Sequence, residues 1–161
     1  MIEIVPFQAG YFEAWRQMSL EWLKEYDLLE PEDFHLLDHP YETAIEVGGA
    51  IYIALADGRP AGTVSLLPAG NKIWEIAKLT VRAEYRRHGI ADRLMAAAIS
   101  GIRERGGERA LLFTNSRLMP AIALYRKWGF SEVPYRDSAY CESDRRFEKA
   151  LSEAGNEIST V

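Results

Sequence analysis

The chain has 161 residues, 48% of them hydrophobic and 27% charged, with 19 Lys and Arg against 24 Asp and Glu and a formal net charge of -5. At this length one domain of about 100 to 200 residues is expected, here residues 1–151, and the acidic balance argues against nonspecific attachment to nucleic acid or to an anionic membrane. Cys141 is the only cysteine, which excludes an internal disulfide and suits a reducing compartment, so a cytoplasmic location is expected.

The first six residues alternate like a strand and lack the basic-then-apolar order of an export signal. Tyr11, Trp15, Met18 and Trp22 then recur at spacings of three and four, one face of a helix. Such a stripe is ordinarily core, and secondarily a candidate wall of an acceptor pocket. From 25 to 46 the chain has eight acids and no Lys or Arg, interrupted by Pro31 and Pro40. Short helices and loops are expected there, with the acids on a solvated surface. His35 and His39 have a spacing that could place two metal ligands on one helix face, but a solvated helix end before Pro40 explains the same residues, and no metal is expected.

Ala50–Ala56 and residues 61–67 are apolar runs joined by Asp57-Gly58-Arg59-Pro60, a hairpin pattern. A second turn at Pro68-Ala69-Gly70-Asn71 leads into the β-branched run Ile73–Val81, which completes a three-stranded antiparallel meander. The period then changes from that of a strand to that of a helix. Ile90, Leu94, Ala97, Ala98 and Ile102 share one face, and Gly106-Gly107 ends the run. Its most apolar stretch, 94–102, is far shorter than the ~20 residues that cross a bilayer, so no membrane partner is expected. Arg109–Thr114 reads as a buried strand and 121–128 as a helix that Pro120 starts and Gly129 stops. Residues 130–134 and 145–151 are candidate closing strands, the second charged enough to read equally as helix. Residues 152–161 are polar and unpatterned, the pattern of a frayed, flexible tail.

The segment richest in chemistry joins the strand Ile73–Val81 to the helix at Ile90: Arg82-Ala83-Glu84-Tyr85-Arg86-Arg87-His88-Gly89-Ile90-Ala91. The first amides of a helix have no internal partner and carry partial positive charge, so they can hold a phosphate. Gly89 lets an anion approach the backbone without a Cβ in the way, and Arg86, Arg87 and His88 add cationic charge beside it. Neither Gly-Lys-Ser nor Gly-Lys-Thr follows, and there is one glycine only, so the loop is neither a mononucleotide P-loop nor a dinucleotide fingerprint.

Arg86-x-x-Gly89-x-Ala91 resembles the Arg/Gln-x-x-Gly-x-Gly/Ala acetyl-CoA motif of GNAT acetyltransferases, and Pro120-Ala121-Ile122-Ala123-Leu124-Tyr125-Arg126-Lys127-Trp128-Gly129-Phe130 resembles that family's second motif, a helix carrying a tyrosine and ending in Gly-Phe. The resemblance covers residues 50 to 135 closely and the N-terminal helices by topology. One departure stands out: many members have Asn where this chain has Leu118, with Asn115 earlier. The resemblance implies an α/β (α+β) fold with a mixed, mostly antiparallel splayed sheet flanked by helices. It further implies acetyl-CoA as co-substrate, held by Arg86 to Ala91 with Ile90 in the helix start, and a pantetheine arm bonded to the backbone of Leu79 and Val81. Asn115 is a further candidate contact to cofactor or substrate, with a turn-forming role as the alternative.

Acyl transfer to an amine needs a base for the nucleophile and a proton for the departing thiolate. Glu75 shares a strand face with Ile73, Ala77, Leu79 and Val81, which predicts a desolvated carboxylate with a raised pKa. Its offset of eleven positions before Arg86 is similar to that of the general base in histone-type members. A structural glutamate is the competing reading. Tyr125 matches the family tyrosine that protonates the thiolate, and otherwise packs beside Ile122 and Leu124. The expected partner is an amine acceptor, with a cationic one suggested by the acidic stretch. Monomer and homodimer both remain open. A noncatalytic CoA-binding module and transfer of a longer acyl group are the alternatives, and the presence of both Glu75 and Tyr125 favours the enzyme.

Overall fold

The computed structural model describes residues 1–151, so the expected tail at 152–161 lies outside the described residues. Strand β1 (Ile2–Pro6) lies antiparallel to β2 (Ala50–Ala56), with Ile2 opposite Ala56. Between them run helix α1 (Phe12–Glu25), the short α2 (Asp33–Asp38) and a single wide turn at Tyr41–Ile45, as the prolines of the acidic stretch predict. β2 turns back into β3 (Arg59–Pro68) through Asp57 and Gly58, both left-handed at φ 49° and 83°. A tight turn of that geometry matches strand twist. It therefore needs only two residues, and β3 begins at Arg59, two residues earlier than the sequence pattern suggests. β4 (Ile73–Val81) completes the meander.

Helix α3 (Ile90–Glu104) and β5 (Arg109–Thr114) follow, and the crossover makes β5 parallel to β4. Helix α4 (Met119–Lys127) has Pro120 in its first turn and stops before Gly129, whose φ of 86° suits glycine alone among common residues. The short β6 (Ser131–Val133) and β7 (Arg145–Ala150) close the sheet in the order β1-β2-β3-β4-β5-β7-β6. The ambiguous segment 145–151 is thus a strand, paired along β5 from Arg109 opposite Ala150 to Thr114 opposite Arg145.

Apolar residues of the sheet point to two sides. Val64, Leu66, Ile76, Leu112 and Phe147 pack against Leu94, Met95 and Ile102 of α3 and Ile122 of α4. Ile51, Ile53 and Leu55 pack on the other side against Trp15, Met18 and Leu37. Burying one large aliphatic side chain contributes about 1.5–3 kcal/mol, so both layers are firmly held. The exception is the middle. β4 and β5 pair only from Ile73 opposite Arg109 to Glu75 opposite Leu111, and then part. No helix among the described residues is long and apolar enough to cross a membrane.

Candidate active site

Where β4 and β5 part, two neighbouring cavities open. The larger, about 370 Å³, is bordered by Leu79 and Val81 of β4 and by Arg86, Arg87, Gly89, Ile90 and Ala91. The smaller, about 100 Å³, is bordered by Glu75, Lys78, Asp33, Glu30 and Tyr140. Trp22, Leu79, Leu118 and Tyr125 line both. The two cavities therefore adjoin, with Tyr125 in the wall that both share.

The shape of β4 decides what faces each cavity. Ser65 pairs with Ala77 and Thr63 with Thr80, so β4 holds one residue more than β3 between these pairs, and Lys78 takes the left-handed φ of 56°. That is a bulge, which reverses the alternation beyond it. Glu75 lies opposite Leu67, which packs on the α1 side, whereas Leu79 and Val81 pack on the α3 side. The expectation that Glu75 shares its face with Leu79 and Val81 is corrected accordingly. Arg82 donates its amide to Ala61 of β3 (2.8 Å), so by strand alternation Val81 turns its backbone toward the open edge.

At the loop, Arg87 and Gly89 are both left-handed, at φ 67° and 75°. Glycine adopts that backbone freely, and arginine does so at a cost. Among the described residues the amides of 87–92 have no acceptor, and the first helical bond runs from Arg93 to Gly89 (3.2 Å). Six adjacent donors at a helix start form an anion cradle. Arg86 borders the larger cavity and is also tied to neighbouring elements. Its guanidinium grips Glu25 with two bonds of 2.8 and 2.7 Å and reaches the Val81 carbonyl at 3.3 Å, tying the end of α1 to the loop. That bond pulls the Glu25 carboxyl below its usual range. Arg87 is exposed and forms no ion pair among the described residues, which leaves it the free cation at the cradle. The His88 ring lies over carbonyl oxygens of its own loop, 2.8 Å from Arg86 and 3.2 Å from Tyr85, and does not border the groove.

The Glu75 carboxylate makes no hydrogen bond or close ion pair among the described residues. Burial pushes its carboxyl up to about 7, and the cations of Lys78 and Arg146 only partly offset this. The desolvation that its apolar neighbours predict is present. Tyr125 is buried on α4 beside Phe130 and Phe147, with ring centroids 6.3 and 6.1 Å away. Burial pushes its hydroxyl up to about 12, the Thr114 hydroxyl offsetting part of the effect. It is a protonated phenol at neutral pH. Asn115 faces the smaller cavity and is already engaged, donating to the Glu142 carbonyl (2.6 Å) and accepting the Arg117 amide (2.9 Å). That is the turn-forming role.

Three groups in the wedge escape sequence reasoning. Glu30 and Asp33, read as solvated acids, are 8% and 2% exposed. Lys78 forms a buried ion pair with Asp33, and its ammonium lies 4.5 Å from the centre of the Tyr140 ring. The bulge carries no glycine or proline, so nothing in the alternation marks it. Trp22, one of the helical stripe, is a cavity wall, while Trp15 and Met18 are core.

The Acetyltransferase (GNAT) family model matches residues 12–130. YjgM of Escherichia coli K12, an uncharacterized N-acetyltransferase, is 30% identical over 127 residues, 74% of this chain and 74% of that protein. A GNAT-family acetyltransferase from Staphylococcus aureus Mu50 superposes with a TM-score of 0.86 at 21% identity, over 94% of this chain and 100% of that one. The PaiA N-acetyltransferase of Thermoplasma acidophilum, solved in complex with coenzyme A, has a TM-score of 0.76 at 18% identity, over 94% of this chain and 99% of that one. At these identities the structural likeness concerns the fold, and it agrees with the splayed sheet between two helical layers.

Proposed function

Because the chain belongs to the GNAT acetyltransferase family and is an acyltransferase, we propose that it moves the acetyl group of acetyl-CoA onto a primary amine of a small molecule or peptide, by direct attack in a ternary complex within one domain, 1–151. The pyrophosphate rests on the amides of 87–92 with Arg87 beside it, and the pantetheine arm follows the open edge of β4 at Leu79 and Val81. The coenzyme A held by the Thermoplasma relative supports a CoA-type co-substrate.

Acetyl-CoA supplies the acyl carbon and a thiolate leaving group. The protein handles the protons. Glu75, with a carboxyl near 7, takes the proton that the amine loses as its nitrogen bonds to the carbonyl carbon. Tyr125 gives its phenolic proton to the sulfur as the carbon–sulfur bond breaks. A proton passed from Glu75 back to Tyr125 within the wedge restores both groups. Of the eight acids in the stretch, Glu25, Glu30, Asp33 and Asp38 are already engaged by Arg86, two backbone amides, Lys78 and Arg16, so these four lend little to a cationic acceptor.

The observation that carries the reading is an anion cradle and an acid–base pair placed in adjoining cavities that share Tyr125 as a wall. Calorimetric titration with acetyl-CoA, followed by thiol release across a panel of small amines, polyamines, aminoglycosides and peptide N-termini, tests it. Saturable binding with amine-dependent thiol release is expected. Binding without release for any amine would make the chain a CoA-binding module instead.

A further inference from the structure

Glu30, in the connection between α1 and α2, is buried, yet no cation pairs with it among the described residues. Its two oxygens instead accept the amides of Cys141 and Glu142, each at 2.7 Å. These amides belong to the connection 134–144 between β6 and β7, more than a hundred residues away along the chain. A carboxylate taking two backbone donors is held by charge-assisted bonds, stronger than neutral ones. The same loop presents Tyr140, whose ring covers the Lys78 ammonium. Lys78 is paired to Asp33, and the other Asp33 oxygen accepts the backbone amide of Glu30 itself (2.9 Å). The contacts thus form a closed circuit from Glu30 through the loop, Tyr140, Lys78 and Asp33 back to Glu30. Glu75 lines the cavity that this circuit encloses.

We propose that Glu30 is a positioning residue, a latch that holds the 134–144 loop across the acceptor side of the wedge and keeps Glu75 walled off from bulk water. The proposal rests on the reading of Glu75 as the base. The charged and titratable groups facing Glu75 are Lys78 on its own strand, Arg146 on β7, Asp33 on α2, Glu30 beside α2, Tyr140 and Glu142 on the loop, and Tyr125 on α4. Opening the latch removes the Tyr140 ring and admits water, while Lys78 keeps its pair with Asp33 and Arg146 its pair with Glu148. Both changes favour the ionised carboxylate.

Two variants break the latch from opposite sides. Glu30→Gln replaces one accepting oxygen with a donor, and Cys141→Pro deletes one amide from an exposed loop position while leaving the buried carboxylate intact. In each, hydrogen exchange at the Glu142 amide is expected to accelerate by at least about tenfold. The acid limb of the kcat/KM profile should fall by about one pH unit, and KM should rise for the acceptor, with KM for acetyl-CoA changing less than about twofold. Unchanged exchange in both variants would overturn the latch. Faster exchange with an unmoved acid limb would overturn its action on Glu75. If the parent shows no acid limb that Glu75→Gln abolishes, the base reading fails on its own, and the exchange rates still decide whether Glu30 holds the loop.

Discussion

Glu75→Gln separates a desolvated base from a structural glutamate, because the two differ in both stability and rate. The folded carboxyl titrates at about 7, against 4.5 for an unhindered glutamate, chiefly through burial. The native state therefore holds this proton more tightly than the unfolded chain does. Between pH 4.5 and 7 it is the folded form that carries the extra proton, so stability is lost as pH rises through that window. The full difference corresponds to ~3 kcal/mol above pH 7 as an upper bound, at 1.36 kcal/mol per unit. Glu75 opens partly to the cavity, so about 1–3 kcal/mol is the working range. Glutamine is nearly isosteric and carries no charge. The variant should match the parent at pH 4, below the unfolded value, and exceed it at pH 8, by about 2–4 °C in Tm for each kcal/mol. Turnover should fall by about 10²-fold at pH 8, and by less at pH 6, where the parent base is itself mostly protonated. Thermal unfolding followed by circular dichroism, and kcat/KM between pH 5.5 and 9, are the assays. A stability gain equal at both pH values, together with a constant rate ratio, would refute the burial argument and the base together.

Gly89→Val should fold, since an added Cβ meets no protein atom within 4 Å, but the left-handed φ of 75° costs a branched residue at least about 1–2 kcal/mol. Calorimetry should show acetyl-CoA affinity reduced by at least about tenfold; parental affinity in a folded variant would remove the cradle. Tyr125→Phe keeps the packed ring and removes the proton, so kcat and kcat/KM should fall together by roughly 10²-fold with little change in Tm. Near-parental kcat at saturating acceptor would leave Tyr125 a packing residue. Glu25→Gln breaks a partly exposed ion pair, 31% and 43% accessible at the two side chains, so it should shift stability by less than ~1 kcal/mol. With Arg86 released toward the cradle, acetyl-CoA should bind no more weakly than to the parent. A tenfold loss would mean that the pair is needed to shape the loop.

The amphipathic period of α3, the glycine before it and the Pro and Gly bracketing α4 are local signals, and the structure honours them within two residues. β7 is ambiguous in sequence because Phe147 is the one large apolar side chain within it. Its identity as a strand comes from pairing with β5, a partner that local pattern does not reveal. The site divides in the same way. The cradle amides follow from a turn and a helix start, both local. The destination of Arg86 at Glu25, the burial of Glu30 and the reach of Lys78 to Asp33 depend on contacts 61, 111 and 45 residues apart. The composition of the acidic stretch says that charge is present there without saying what it touches.

The seam between β4 and β5 is three residue pairs long. In mechanical terms the sheet has two halves, β1 to β4 and β5 with β7 and β6, joined in backbone bonds along one short edge and otherwise by side chains packed against α3 and α4. Beyond the seam, each facing edge keeps peptide groups that neither strand can satisfy for the other. A ligand with amide groups along its own length can serve as the missing rung between them. Occupancy then joins the two halves into one continuous hydrogen-bonded unit, so their unfolding becomes more strongly coupled when the wedge is filled.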